Sequence, residues 1–165
     1  MKFDPLKWAA KIPNPALQKK ALDVMLMFGI PFNRWLGLRV EELGPTKVVV
    51  ASPERHLRKN HLGGAHACAL ALLGEFPSGL LIAQNFSFDE YRLIMKELHM
   101  EYHKQGRGVL RGTVHPPTPW PTVRGEAEVW IDLVTQITNE ANEPVATCLS
   151  KWQVKPWHLV RSKQA

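Results

Sequence analysis

Cysteine is scarce in this chain of 165 residues: Cys68 and Cys148 are the whole supply. Two thiols do not make a disulfide framework. Both stand in apolar sequence, which predicts buried thiols in a reducing compartment. Long hydrophobic runs are lacking too. No apolar stretch approaches the roughly 20 residues of a membrane span. The start, Met1-Lys2-Phe3-Asp4-Pro5-Leu6-Lys7-Trp8, lacks the continuous apolar segment of a signal peptide. A cytoplasmic protein with no membrane partner is the expectation. Runs of one charge are missing as well. The formal net charge is +6, but the lysines and arginines are dispersed. That balance permits acidic headgroups, nucleic acid or a phosphorylated ligand, while the dispersal argues against a dedicated nucleic-acid arm, so no nucleic acid is expected. The seven histidines show no compact ligand spacing beyond His61 and His66. His99 and His103 would share a strand face with nothing to complete a set, so no metal is assigned.

What is present describes an ordinary globular domain, with 45% hydrophobic and 22% charged residues. One domain over 1–165 is expected, with 1–35 as an N-terminal extension and helix and 36–155 as the core. Residues 1–14, with two prolines, read as a loose lead-in. Leu17, Ala21, Leu22, Val24, Met25 and Phe28 recur at helical spacing, with Asn14 as N-cap, Pro15 in the first turn, and Gly29 and Pro31 as the stop. Leu36 to Leu43, a Gly44-Pro45 turn and Thr46 to Ala51 make a hairpin. Pro53 to Lys59 is a charged loop. Ala65 to about Ala83 reads as an apolar helix that Pro77 and Gly79 kink or divide. Period-two patterning predicts strands from about Tyr91 (Leu98, Met100 and Tyr102 on one face), over Val109 to His115, over Thr122 to Thr138 and over Val145 to Val154. Four prolines make His115 to Pro121 a loop.

The chemistry-bearing stretch is Asn60 to Glu75, a glycine-bearing loop that feeds the apolar helix. Glu75 is a lone carboxylate in apolar company, and burial would raise its pKa toward neutrality. Such a group serves as general base or as nucleophile, and the sequence does not separate the two. Asn60 would orient water or hold the loop. His66 would polarise a substrate or brace the helix start. Cys68 reads as a small core residue rather than a nucleophile, since no base is placed beside it.

Element order and motif together resemble the hotdog fold, and specifically the families similar to phenylacetyl-CoA thioesterases. Those carry Asn, then Gly three residues on, then His-Gly-Gly three further, and an acidic residue nine after the His. Asn60, Gly63, His66 and Glu75 stand at those spacings, and Arg107-Gly108-Val109-Leu110-Arg111-Gly112 is similar to the family's strand after a basic turn. The resemblance spans Leu36 to Val154. Ala67 and Cys68 replace the two glycines. It implies an α+β fold, a long antiparallel sheet wrapped around a central apolar helix, with the N-terminal helix as an addition. It also implies an acyl-CoA or acyl-carrier thioesterase working as a homodimer or homotetramer, coenzyme A entering only as part of the substrate and no other cofactor. Catalytic residues would be Glu75, His66, Asn60 and Ala67, the last through its backbone N–H as oxyanion donor. Gly63, Gly64 and Cys68 would admit the thioester. Arg58, Lys59, Lys104 and Arg107, with Arg55 and Arg111 near them, would meet the coenzyme's phosphates. The alternatives are a hotdog that binds acyl-thioesters or lipids without catalysis, and a hotdog dehydratase.

Overall fold

The structure, a computed structural model, describes residues 5–121 and 128–160. A short helix α1 (Pro5–Ala9) and a longer α2 (Pro15–Gly29) precede strands β1 (Arg39–Leu43) and β2 (Val48–Ser52). The central helix α3 (Ala67–Asn85) follows, then β3 (Tyr91–Tyr102), β4 (Leu110–Val114), β5 (Val129–Thr138) and β6 (Pro144–Pro156). The six strands form one antiparallel sheet in the order β1-β2-β4-β5-β6-β3. The sheet wraps α3, which packs against β2, β3, β4, β5 and β6. Ile131, Leu133 and Ile137 of β5 alternate inward with Val145 and Val154 of β6, Val48 and Val50 of β2, and Leu73, Leu81 and Ile82 of the helix. This is the α+β hotdog architecture.

By composition α3 is long and apolar enough to cross a membrane, at 19 residues and a mean hydropathy of 1.4. Its buried residues, from Ala69 to Ala83, assign it instead to the interior of the sheet. Of the two expectations at Pro77 and Gly79, a kink or a division, the division does not occur, and α3 runs as one helix to Asn85. Pro77 has no N–H to give the Leu73 carbonyl. That carbonyl oxygen faces β4 at Gly112, where an added Cβ would lie 2.5 Å from it. A glycine on the strand therefore gives room to the irregular turn of the helix.

The N-terminal part departs from expectation in two places. Residues 5–9 form helix α1, whose Ala9 is buried, rather than a loose lead-in. The first strand begins at Arg39, because a 3-10 turn (Pro31–Trp35) and Gly37, with φ of 61°, occupy the residues before it. Helix α2 is as read: the Asn14 side chain accepts from the amides of Ala16 and Leu17 at 3.0 and 3.1 Å. The strand expected from Thr122 begins at Val129, and its part over 122–127 lies outside the described residues.

Candidate functional site

The loop before α3 is built on Asn60. Its Oδ1 accepts from the amides of Leu62 (2.9 Å) and Gly64 (3.2 Å), and its Nδ2 donates to the Ala65 carbonyl at 3.4 Å. Of the two roles open to it, the side chain is committed to holding the loop. Gly63 turns the chain at φ of 77°. Gly64 lies against Gln105, whose amide donates to Leu62 O at 3.1 Å.

His66 caps α3. Its Nδ1 accepts from the Cys68 amide at 3.1 Å, which puts the neutral ring's proton on Nε2. The His66 carbonyl takes the amides of Ala69 (2.9 Å) and Leu70 (3.1 Å). Among the described residues, Ala67 is the one first-turn residue whose N–H has no hydrogen-bond acceptor. It is exposed at the positive end of a 19-residue helix. An open groove runs along this entrance, about 430 Å³ in volume, lined by Ala67, Leu70, Tyr102, His103 and Lys104. Tyr102, which the sequence reading left out of the site, donates from its hydroxyl to Ala67 O at 3.3 Å.

Glu75 stands eight residues along, about 12 Å of helix rise from Ala67. It lies on the face that Cys68, Leu72 and Gly79 share at spacings of four, three and four. Around it is a second cavity, about 610 Å³ and mostly apolar, lined by Met25, Leu26 and Ile30 of the N-terminal part with Leu80, Leu93 and Trp152. Burial pushes the Glu75 carboxyl up from 4.5 to about 7. Beneath it Ser78, Ser150 and Trp152 form one hydrogen-bonded group. Trp152 Nε1 (3.0 Å) and Ser150 Oγ (3.1 Å) donate to Ser78 Oγ, which donates to the Glu75 carbonyl at 2.7 Å. Cys148 is buried nearby, and burial together with the Glu75 charge raises its thiol to about 12, so it stays protonated. Cys68, expected to be buried, is exposed: it is the second residue of α3, at the open helix entrance beside Ala67.

The basic residues do not assemble as expected. Arg58 is 2% exposed, its guanidinium donating to Ser52 O at 2.8 Å, Ser52 Oγ at 3.0 Å and the carbonyl of Gly108. It is a brace between loops and does not reach a phosphate at the surface. Lys59 pairs with Glu54 at 2.8 Å, Lys104 with Glu143 at 2.5 Å, and Arg111 with Glu41 at 2.7 Å. Arg107 donates to Leu62 O (3.3 Å) and to Gln105, and the Arg55 guanidinium lies over Gly37. Lys59, Lys104 and Arg107 remain beside the helix entrance, whereas Arg111 is drawn away to β1. No group of three His, Cys, Asp or Glu among the described residues converges as metal ligands would.

A family model described as a domain of unknown function, DUF4442, matches residues 18–154. The chain belongs to the DUF4442 family. Among solved structures it is similar to a protein of unknown function, named as a probable thioesterase, from Pseudomonas aeruginosa. The two are 26% identical, the match covers 88% of this chain and 98% of that one, and the TM-score is 0.72. A point variant of the thioesterase SAV0944 from Staphylococcus aureus is 16% identical, with 76% and 99% covered and a TM-score of 0.64. The TT0310 protein of Thermus thermophilus is 21% identical, with 74% and 96% covered and a TM-score of 0.60. These likenesses agree with the hotdog fold of this DUF4442 member. No curated protein matches the chain in sequence.

Proposed function

We propose that this DUF4442 protein hydrolyses the thioester of an acyl-CoA or acyl-carrier substrate, with Glu75 as the group that activates water. The carrying observation is a desolvated carboxylate on the wall of an apolar cavity. With its pKa near 7, the carboxylate is basic enough to take a proton near neutral pH. The acyl group occupies the cavity, whose size suits a small-molecule ligand. As water adds to the carbonyl carbon, Glu75 takes its proton and the C=O electron pair moves onto oxygen. The free Ala67 N–H at the helix end is the donor suited to that oxyanion. Collapse of the adduct breaks the C–S bond, and Glu75 returns the proton to the thiolate, leaving a carboxylic acid and a thiol. His66 positions the helix end, and Lys59, Lys104 and Arg107 are the cations nearest an incoming phosphate.

Ala67 and Glu75 of one chain are too far apart for one carbonyl group to reach both, which supports a site shared between two copies. Strand β3 supports the same reading. It pairs with β6 on one side only, and its inward-facing Leu98 and Tyr102 are 39% and 50% exposed. Pairing two β3 edges satisfies the open ladder and covers these side chains. The deciding experiment is hydrolysis of an acyl-CoA panel by wild type, Glu75→Gln and Glu75→Ala. A loss of about 10²–10⁴-fold is expected in both variants. Full activity in Glu75→Gln sinks the assignment, and acyl-CoA binding without turnover by wild type makes the protein a non-catalytic binder.

A further inference from the structure

Helix α2 has two apolar faces. Leu22 and Leu26 pack into the core, while Leu17, Val24 and Phe28 point outward at spacings of seven and four. The exposed series continues through Ile30 into the 3-10 turn, where Phe32 is 70% and Trp35 63% exposed. The Arg34 guanidinium lies 4.9 Å from the centre of the Phe28 ring, which ties the turn to the end of the helix. Residues 5–38 carry Lys7, Lys11, Lys19, Lys20 and Arg34 against the single carboxylate of Asp23. Lys7 pairs with Asp89 at 2.8 Å and Lys19 donates to the Glu41 carbonyl at 2.7 Å, so the cations set on the outer face are Lys20, between Leu17 and Val24, and Arg34 over Phe28. Asp23 is turned inward, accepting from the Val40 amide at 2.8 Å.

We infer that this face docks the protein on the surface of an anionic lipid bilayer. Large apolar and aromatic side chains rimmed by cations are the pattern that settles into a headgroup layer, with the rings at the boundary and the charges on the phosphates. A second copy fits the charge less well, because a two-fold contact brings the same cationic patch from both sides. The lack of a clear transmembrane run in the sequence concerns crossing a membrane, not resting on one. Gly29 and Ile30, at the end of the same helix, also line the Glu75 cavity. A docked molecule therefore holds one wall of that cavity beside the lipid.

The test is sedimentation of the full chain with vesicles of phosphatidylcholine alone, or with a third of the lipid replaced by phosphatidylglycerol. Binding is expected to the anionic vesicles only. It should fall at least about tenfold between about 0.1 M and 1 M salt, where the screening length shrinks from about 10 Å to 3 Å. The double variant Phe32→Glu, Trp35→Glu is expected to lose binding with its mass by light scattering unchanged. Lys20→Gln with Arg34→Gln, which leaves the apolar face intact, is expected to weaken it. No binding to either vesicle, or equal binding to both, overturns the proposal. A fall in the mass of the Phe32→Glu, Trp35→Glu variant also overturns it and assigns the face to a second copy.

Discussion

Replacing Glu75 by glutamine should stabilise the protein at alkaline pH and not at acid pH. In the fold the carboxyl titrates near 7, against 4.5 for the unperturbed group, because apolar surroundings disfavour its charged form. The folded state therefore holds a proton that the unfolded chain has released between about pH 4.5 and 7. In that window stability falls as pH rises; below it the neutral carboxyl costs nothing, and above it the full penalty is present. A shift of this size corresponds to roughly 3 kcal/mol. Glu75 keeps part of its surface in solvent, so about half of that is the working figure. Glutamine has nearly the same shape and no charge to desolvate. Urea unfolding of both proteins at about pH 4, 5.5 and 8 isolates the effect, since their difference cancels every other titrating group. The variant should match wild type at the lowest pH and exceed it by about 1.5 kcal/mol at the highest. An offset independent of pH would falsify the claim that this carboxylate is desolvated.

The same titration sets the acid limb of hydrolysis: kcat/KM should rise with pH around a midpoint near 7, and a midpoint near 4.5 would mean a solvated carboxylate. Arg58→Met should cost roughly 3 kcal/mol in urea unfolding, because it strands the carbonyls of Ser52 and Gly108. Lys104→Met, at an exposed ion pair, should stay within about 1 kcal/mol of wild type. A thiol reagent should label Cys68 in the native protein and reach Cys148 only on unfolding; two fast-reacting thiols would contradict the buried position of Cys148.

Much of the fold was legible because its signals are local. Asn14 and Pro15 mark a helix start by their own chemistry, and the alternation over Val145 to Val154 declares a strand by itself. What failed depended on partners distant in sequence. Pro77 looked like a break because nothing beside it shows that Gly112, thirty-five positions later, gives the turn room. Arg58 looked like a surface cation until the carbonyls of Ser52 and Gly108 closed on it. Cys68 looked buried because its neighbours are apolar, but it stands in the exposed first turn of α3. Of the candidate site, Glu75 was readable as a lone carboxylate in an apolar helix, and the Ala67 amide only through the family resemblance. Tyr102, Trp152 and the cover supplied by α2 were not, since each reaches the site only through the tertiary fold.

His66 and Glu75 stand two turns apart on one helix, and a helix is a rod whose first turn cannot fold back onto its third. If two copies share each site, two different defects should complement. Glu75→Gln removes the base. Ala67→Pro removes the one unpaired amide of the first turn, at a helix position where proline is well tolerated. His66, at φ of −66° and ψ of 145°, already has the backbone a residue before proline requires. Each variant alone should fold and fail to hydrolyse. Unfolded together and refolded at equal concentration, half of the dimers carry one chain of each kind. One of the two sites in such a dimer then has an intact amide facing an intact carboxylate. Activity should return to about a quarter of wild type, in proportion to the mixed dimers formed. No recovery, with mixed dimers demonstrated by mass, would place both groups in a site belonging to one chain. That outcome would require α3 to bend sharply between Ala67 and Glu75, where it is continuous helix.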